Sequence, residues 1–253
     1  MSDASEKPPY RLRRPGGEID QTRIFNVPGV LLAIAGVTAL FFVLMAFAPE
    51  RMAQIIEVSA AVSPRRFLLG PERNGGLLEM VSPLITHMFV HANLPHLLFN
   101  SLWLLAFGAP VARRMGAENA LQSTTAFASA ALFLTFYLLS GVFGALTYIA
   151  AHSNELTLLV GASGGVSGLL GGVVRFAFNR STLFGPEHAT ISPLTSRSVL
   201  TWTMIVILMN VALGLFGGVL TGGADIAWEA HIGGYFFGLL AYPFFEHMAR
   251  SFR

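Results

Sequence analysis

The chain of 253 residues contains no cysteine. This absence excludes a disulfide framework, a thiol nucleophile and a cysteine-based metal site. Charged side chains are also scarce: they make up 12% of the residues, whereas a soluble domain carries about 25%. With 53% hydrophobic residues and a mean hydropathy of +0.60, the composition is typical of an integral membrane protein. The formal net charge is only +2, so a basic surface for nucleic acid is not indicated.

The N-terminal segment lacks a short apolar core followed by a small-residue cleavage site, so no secretory signal peptide is predicted. It is polar and contains several prolines and glycines together with four arginines. We expect a disordered cytoplasmic tail at residues 1–24, a membrane domain at 25–248 and a short cytoplasmic tail at 249–253.

Six apolar stretches are predicted to cross the membrane, which makes this an all-α membrane protein. A span needs about 20 apolar residues to cover roughly 30 Å of hydrocarbon. Asn93 and Pro95 are suited to the cap and first turn of the second span. The predicted spans are residues 25–48, 93–114, about 118–141, 156 to about 175–180, 200–216 and 228–245.

The segments between these spans give the predicted topology. Residues 50–91 are interrupted by prolines, so we expect short helices that lie at the outer interface. Two glycine-containing stretches, 142–155 and 217–227, are predicted to be short outer loops. Neither contains lysine or arginine, whereas arginines occur in every segment assigned to the inside. This positive-inside pattern predicts that both termini lie in the cytoplasm.

Three polar residues are predicted at one depth in the membrane. Ser163, His231 and Asn100 each follow the outer start of a different span, roughly 6–10 Å down at the rise of an α-helix. Ser163 is surrounded by glycines, with small-xxx-small pairs at 161/165 and 164/168, and Gly234 and Gly238 follow His231. Such faces allow close helix approach. If these two faces meet, the hydroxyl and the imidazole come within hydrogen-bonding distance.

Each polar residue also has a simpler explanation. Ser163 alone is typical of a packing position, while His231 and Asn100 are typical of hydrogen bonds between helices. His87 and His91 are four residues apart, as in a metal-binding pair, but the glutamate of His-Glu-x-x-His is missing. We therefore predict a structural or interfacial role for both histidines, and no metal or cofactor.

Taken together, the motifs resemble those of the rhomboid intramembrane serine proteases. The matching residues are His87-x3-His91-x4-His96-x3-Asn100, Gly161-Ala162-Ser163-Gly164 and Ala230-His231-x2-Gly234-x3-Gly238. They occur in the family's order on the second, fourth and sixth spans, and the resemblance covers about residues 25–248. It implies a six-transmembrane-helix rhomboid-like bundle with a long interfacial loop between helices 1 and 2.

The resemblance also implies a function. Ser163 would be the nucleophile and His231 its general base in a Ser-His dyad, while His96, Asn100 and the Ser163 backbone N–H would stabilise the oxyanion. Substrates would be single-span transmembrane proteins in the lipid bilayer of a bacterial inner (plasma) membrane, cut near the extracytoplasmic face. Residues 217–227 would cap the site, and span five would form part of the substrate gate.

Two positions depart from the family's pattern. Ser167 occupies a place where the family often has tyrosine, and Ser82-Pro83 stand where a Trp-Arg pair is often found. We expect no acidic third member of the site, because Asp225 and Glu229 are predicted to be solvated near the interface.

Two functions other than a protease are compatible with a membrane bundle of this kind. A rhomboid-like protein that binds membrane clients without cutting them would typically lack the serine or the histidine, and both are present. A small transporter would need polar residues through both leaflets, whereas the predicted cluster lies in the outer leaflet alone.

Overall fold

The computed structural model describes residues 27–153, 155–178, 190–221 and 226–252. The predicted tail at 1–24 and Asp225 lie outside these residues. The described part is helical, with one isolated antiparallel bridge between Val62 and Leu159. Its α-helices are α1 (Gly29–Phe47), α2 (Glu50–Ala60), α3 (Pro64–Leu68), α4 (Leu77–Val81), α5 (Pro83–Thr86), α6 (Leu94–Met115), α7 (Thr124–Ala151), α8 (Ser163–Phe176), α9 (Arg197–Thr221) and α10 (Trp228–Arg250).

Four helices of the described chain are long and apolar enough to cross a membrane: α1, α6, α7 and the Arg197–Gly217 part of α9. Helix α8 has only 14 residues, or about 21 Å at 1.5 Å per residue. Helix α10 has 23 residues but is less apolar, since it contains Glu229, His231 and Glu246. These two helices lie at the centre of the bundle, where α8 has 11 of its 14 residues buried.

The segment between α1 and α6 consists of short helices, and its position at a membrane interface stays a prediction. Besides α2 to α5 it contains two 3-10 turns, Pro71–Arg73 and His87–Phe89. Helix α6 then begins at the predicted cap, where the Asn93 side chain accepts a hydrogen bond of 2.9 Å from the backbone N–H of His96. This bond satisfies one of the free N–H groups of the first turn.

The prediction of a loop at 142–155 is wrong for most of these residues, because they are helical as far as Ala151. Helix α7 begins at Thr124, with the Ser123 hydroxyl accepting from Ala126 N–H, and continues without a break to Ala151. Starting six residues later than expected, it measures about 42 Å. Gly141 and Gly144 are contact positions instead of helix breakers: side chains there would overlap Met88 and approach the Ala230 carbonyl oxygen to 2.6 Å.

The fourth span also begins later than predicted. Residues 155–162 are irregular, and Leu159 pairs with Val62 through backbone hydrogen bonds of 3.1 and 2.8 Å. The helix starts at Ser163 itself. In the predicted outer loop at 217–227, α9 continues to Thr221, residues 222–225 are outside the described chain, and α10 starts at Trp228.

Candidate active site

Ser163 and His231 are in hydrogen-bond contact. Ser163 is the first residue of α8, and His231 lies in the first turn of α10. The serine Oγ is 2.8 Å from Nε2 of the imidazole. A serine hydroxyl becomes an effective nucleophile when an adjacent base takes its proton, and this is the geometry that such a transfer needs. The arrangement can therefore support general-base activation of Ser163.

Close packing of α8 on α10 brings the two side chains together. A Cβ on Gly234 would overlap the Gly164 carbonyl, and one on Gly238 would overlap the Gly168 carbonyl. The helices can approach this closely only because these positions carry no side chain. The faces that carry Gly164 and Gly168 on α8 and Gly234 and Gly238 on α10 therefore meet, a contact that the sequence permitted without requiring it.

The other predicted glycine pair faces different neighbours. A Cβ on Gly165 would come 2.5 Å from the Met88 methyl and 2.7 Å from the Tyr137 ring, and Gly161 faces α6. Small residues thus surround the start of α8 on several sides, which explains how so many helices meet there.

The side chains of His96 and Asn100 lie beside Gly161, two residues before Ser163. A Cβ on Gly161 would be 2.7 Å from His96 Nε2 and 3.6 Å from Asn100 Nδ2. Gly161 has a φ of 111°, which other residues rarely adopt, so the position requires glycine both for its backbone and for the space it leaves. Both side chains can donate hydrogen bonds, and both are within reach of the segment that precedes Ser163.

The start of α8 adds backbone donors. The first N–H groups of a helix have no partners within the helix, and they lie at the positive end of its dipole. Ala162, the residue before the helix, makes no side-chain cap there. The free backbone N–H groups at the start of α8, that of Ser163 among them, are therefore suited to bind an oxygen that becomes negatively charged.

His87 and His91 support the segment before Ser163 through a backbone hydrogen bond and a ring contact. The backbone N–H of Gly161 donates to the His87 carbonyl at 2.9 Å, and His87 Nδ1 is 2.8 Å from the Pro83 carbonyl oxygen. The His91 ring packs edge-on against His96, with centroids 4.9 Å apart. Burial lowers the pKa of each of these two histidines to about 4, so both are neutral at pH 7.

Among the described residues, no group of three or more His, Asp or Glu side chains could hold a metal ion.

The sequence was also compared with known proteins. A family model, the Rhomboid domain, matches residues 78–247. The chain belongs to the rhomboid family. It is 30% identical over 128 residues to "Putative rhomboid protease YdcA" of Bacillus subtilis, covering 50% of this chain and 53% of that protein. It is 34% identical over 157 residues to "RHOMBOID-like protein 4" of Arabidopsis thaliana, covering 62% of this chain and 32% of that protein. The matches thus span about half of the first relative and a third of the second.

Sequence reasoning missed one polar residue of this rhomboid's site. Asn210 of α9 is buried, and its Oδ1 is 2.9 Å from Nδ1 of His231. The imidazole therefore lies between Ser163 and Asn210. The available signal was an amide within the apolar run at 200–216, since polar groups inside spans are costly and often functional.

Glu229 was expected to be solvated, and that prediction is wrong. Its side chain is 16% exposed and lies 3.2 Å from Nε2 of His152, whose Nδ1 contacts Glu155 at 2.8 Å. Burial acts to lower the pKa of His152, but the two carboxylates outweigh it and the pKa is raised. This cluster joins the end of α7 to the start of α10, two residues before His231.

Proposed function

We propose that this rhomboid is an intramembrane serine endopeptidase. The observation that carries the proposal is the 2.8 Å contact between Ser163 Oγ and His231 Nε2. A hydroxyl and an imidazole in a glycine-lined helix crossing are also compatible with simple packing, but family membership and the nearby donors favour catalysis.

The proposed reaction proceeds in two stages. His231 Nε2 accepts the Ser163 proton as Oγ attacks the carbonyl carbon of the scissile peptide bond. The tetrahedral intermediate carries its negative charge on the former carbonyl oxygen, which His96, Asn100 and the Ser163 N–H stabilise by hydrogen bonds. The imidazolium then protonates the leaving nitrogen, and the C–N bond breaks to give an acyl-enzyme. In the second stage a water molecule gives a proton to His231 as its oxygen attacks the acyl carbon. The bond between that carbon and Ser163 Oγ then breaks, the imidazolium returns the proton to Oγ, and the new carboxylate leaves.

Such hydrogen bonds are most effective where water is largely excluded. Removing one oxyanion donor typically lowers kcat by about 10²–10³. Asn100 is buried, and His96 packs against His91, so both donors are held in place before substrate arrives. Pre-organisation of this kind lets the donors act on the transition state without further rearrangement.

The proposed topology has six crossings, formed by α1, α6, α7, α8, α9 and α10, with α2 to α5 at the outer interface. Both termini would lie in the cytoplasm of a bacterium whose inner membrane holds the protein. Ser163 would then lie below the outer surface, at the end of the irregular segment 155–162, where water can reach it. The short α8 supports this arrangement, because a helix of about 21 Å cannot cover the full hydrocarbon thickness.

The proposed substrates are single-span transmembrane proteins. A membrane helix has its carbonyls paired internally, so the segment that is cut must unwind locally. We expect helix-breaking residues in the outer part of the substrate span to favour cleavage, and the bond that is cut to lie near the extracytoplasmic face.

Reconstitution with a model single-span substrate in phospholipid vesicles tests this function. The wild-type protein is expected to release two fragments whose new termini, mapped by mass spectrometry, lie in the outer half of the span, and Ser163→Ala is expected to release none. A folded wild-type protein that binds the substrate without cutting it would instead support a client-binding role. A reproducible, Ser163-dependent cut in the cytoplasmic half would contradict the topology.

A further inference from the structure

We infer that Asn210 is a positioning residue, which holds His231 in the tautomer and orientation that the reaction requires. The inference rests on the proposed function and adds a third side chain, from a third helix, to the Ser-His pair. It follows from a continuous chain of hydrogen bonds through α9, α10 and α8.

The chain has a defined direction. Asn210 Nδ2 donates to the Val206 carbonyl oxygen at 2.9 Å, and a carbonyl oxygen can only accept. That bond fixes which end of the amide faces α10, so Oδ1 is the atom that lies 2.9 Å from His231 Nδ1. An oxygen there can only accept, and Nδ1 must therefore carry the hydrogen. In a neutral imidazole this leaves Nε2 with a lone pair, directed at Ser163 Oγ.

The same bond serves the charged state. When His231 takes the serine proton, its Nδ1–H becomes part of an imidazolium, and a hydrogen bond from a charged donor is roughly twice as strong as a neutral one. Asn210 is 9% exposed, so water competes little for this bond. Losing it would leave the ring free to rotate or to change tautomer, and either change removes the base from Ser163.

Few titratable side chains of the described residues lie near His231. His96, from α6, is the titratable side chain whose charge acts on it. Glu229, two residues earlier on α10, is directed to His152 instead. Among the described residues, Asn210 is thus the hydrogen-bond partner of His231 Nδ1.

Helix α9 provides a matched control. Thr203 lies about two turns before Asn210 and its Oγ1 is 2.7 Å from the Tyr235 hydroxyl of α10. This second side-chain bond also joins α9 to α10, one turn beyond His231. Thr203→Val removes a bond between the two helices without touching the imidazole, so it reports what loss of helix attachment does on its own.

The test compares wild type, Asn210→Ala, Asn210→Asp and Thr203→Val in four measurements: thermal stability, fluorophosphonate labelling, kcat and KM for a transmembrane substrate, and the pH profile of kcat/KM. General-base catalysis typically contributes about 10²–10⁴-fold, and we expect Asn210→Ala to lose about 10- to 100-fold in kcat with KM within about twofold. Thr203→Val should keep kcat within about threefold of wild type, even if its stability falls.

Asn210→Asp separates positioning from packing. The carboxylate retains an acceptor for Nδ1–H and adds a charge that stabilises the imidazolium. Because the neutral imidazole is the active base, the acid limb of the profile should move to higher pH, with kcat recovered above that limb to within about tenfold of wild type. A merely structural asparagine would give no such shift, and a buried charge would then harm Asn210→Asp more than Asn210→Ala.

Direct observation of the tautomer completes the test. In ¹⁵N-histidine spectra, the His231 signal, identified by its loss in His231→Ala, should show hydrogen on Nδ1 in wild type and Thr203→Val, and a mixture of tautomers in Asn210→Ala. If wild type neither labels nor cleaves, the proposed function fails. If wild type is active while Asn210→Ala keeps its kcat, pH profile and tautomer, the role of Asn210 is overturned and the protease assignment stands.

Discussion

Gly234 in α10 packs directly against the backbone carbonyl of Gly164 in α8, so closely that any side chain at Gly234 would overlap it. One turn further along each helix, Gly238 meets Gly168 in the same way. These two contacts determine the separation of the helices, and that separation determines the 2.8 Å distance between Ser163 and His231. Packing and proposed chemistry are therefore linked.

Gly238→Ala should lower stability and activity together. The new methyl would meet backbone atoms of Gly168, which cannot move without shifting α8. Overpacking of this kind costs about 1–3 kcal/mol. We expect a lower Tm in detergent and a lower kcat below that Tm. Gly36→Ala is the control, because nothing lies within 4 Å of its added Cβ on α1. Equal Tm values for the two variants would show that the crossing tolerates a wider separation.

The proposed oxyanion role of Asn100 and His96 predicts a particular kinetic pattern. Both side chains face Gly161, one helical turn apart on α6. Asn100→Ala and His96→Ala should each lower kcat by about 10²-fold or more and change KM little, since the hydrogen bonds form fully only in the transition state. A variant that binds substrate more weakly at unchanged kcat would contradict the role, as would a loss of Tm with no loss of kcat.

Substitution of the ion pair at the C-terminal end of α10 should affect stability and leave catalysis unchanged. Glu246 and Arg114 form a buried ion pair of 2.7 Å, with side chains 3% and 2% exposed. Removing one partner leaves a buried charge, which typically costs about 3–5 kcal/mol. Glu246 is 15 residues beyond His231, or about 22 Å along the helix. We expect Glu246→Ala to lower Tm strongly while kcat below Tm stays near wild type.

Exposed Glu72 supplies the control for that variant, and Glu72→Ala should leave Tm unchanged. A fall in kcat for Glu246→Ala at temperatures where it is fully folded would mean that the pair also positions the site.

The cluster around His152 predicts a pH-dependent stability. The pKa of His152 is raised from its usual 6.5, so its stabilising effect is complete below 6.5 and is lost as pH rises through the higher folded-state pKa. The wild-type Tm should therefore fall above pH 6.5 more steeply than that of His152→Gln. His87 and His91 act in the opposite direction, because burial lowers the pKa of each to about 4 in the folded state. Their contribution to the free energy of unfolding is complete above pH 6.5 and is lost as the pH falls from 6.5 to about 4.

Exposed His247, at the opposite end of α10 from this cluster, provides the comparison. His247→Gln should keep the wild-type slope above pH 6.5. Parallel slopes for wild type and His152→Gln would show that the carboxylates do not stabilise the charged imidazole.

Several of these features could be predicted from the sequence because they depend on local composition. A serine among glycines, a histidine three residues before Gly-x-x-x-Gly and an asparagine before Pro95 each carry their signal within a few residues. Family resemblance then related the three segments. The start of α8 was harder to predict. The residues at 156–162 have the composition of a span, but they form an irregular segment that pairs with Val62.

The missed features depend on contacts between distant segments. Gly141 and Gly144 have the same sequence signal whether they break a helix or allow a neighbour to approach, and only the positions of Met88 and Ala230 distinguish the two. Asn210 and His231 are 21 residues apart on different helices, and no spacing rule joins them. His152 and Glu229 are likewise brought together by the fold alone.

The central claim is that Ser163 is a nucleophile activated by His231, and covalent labelling tests it most directly. Detergent-solubilised wild-type protein, treated with a fluorophosphonate probe, should be labelled once, with the adduct mapped to Ser163 by mass spectrometry. Labelling should be abolished in Ser163→Ala and strongly slowed in His231→Ala, although both variants keep their Tm. Folded wild-type protein that takes up no label, or labelling that persists in Ser163→Ala, would contradict the account.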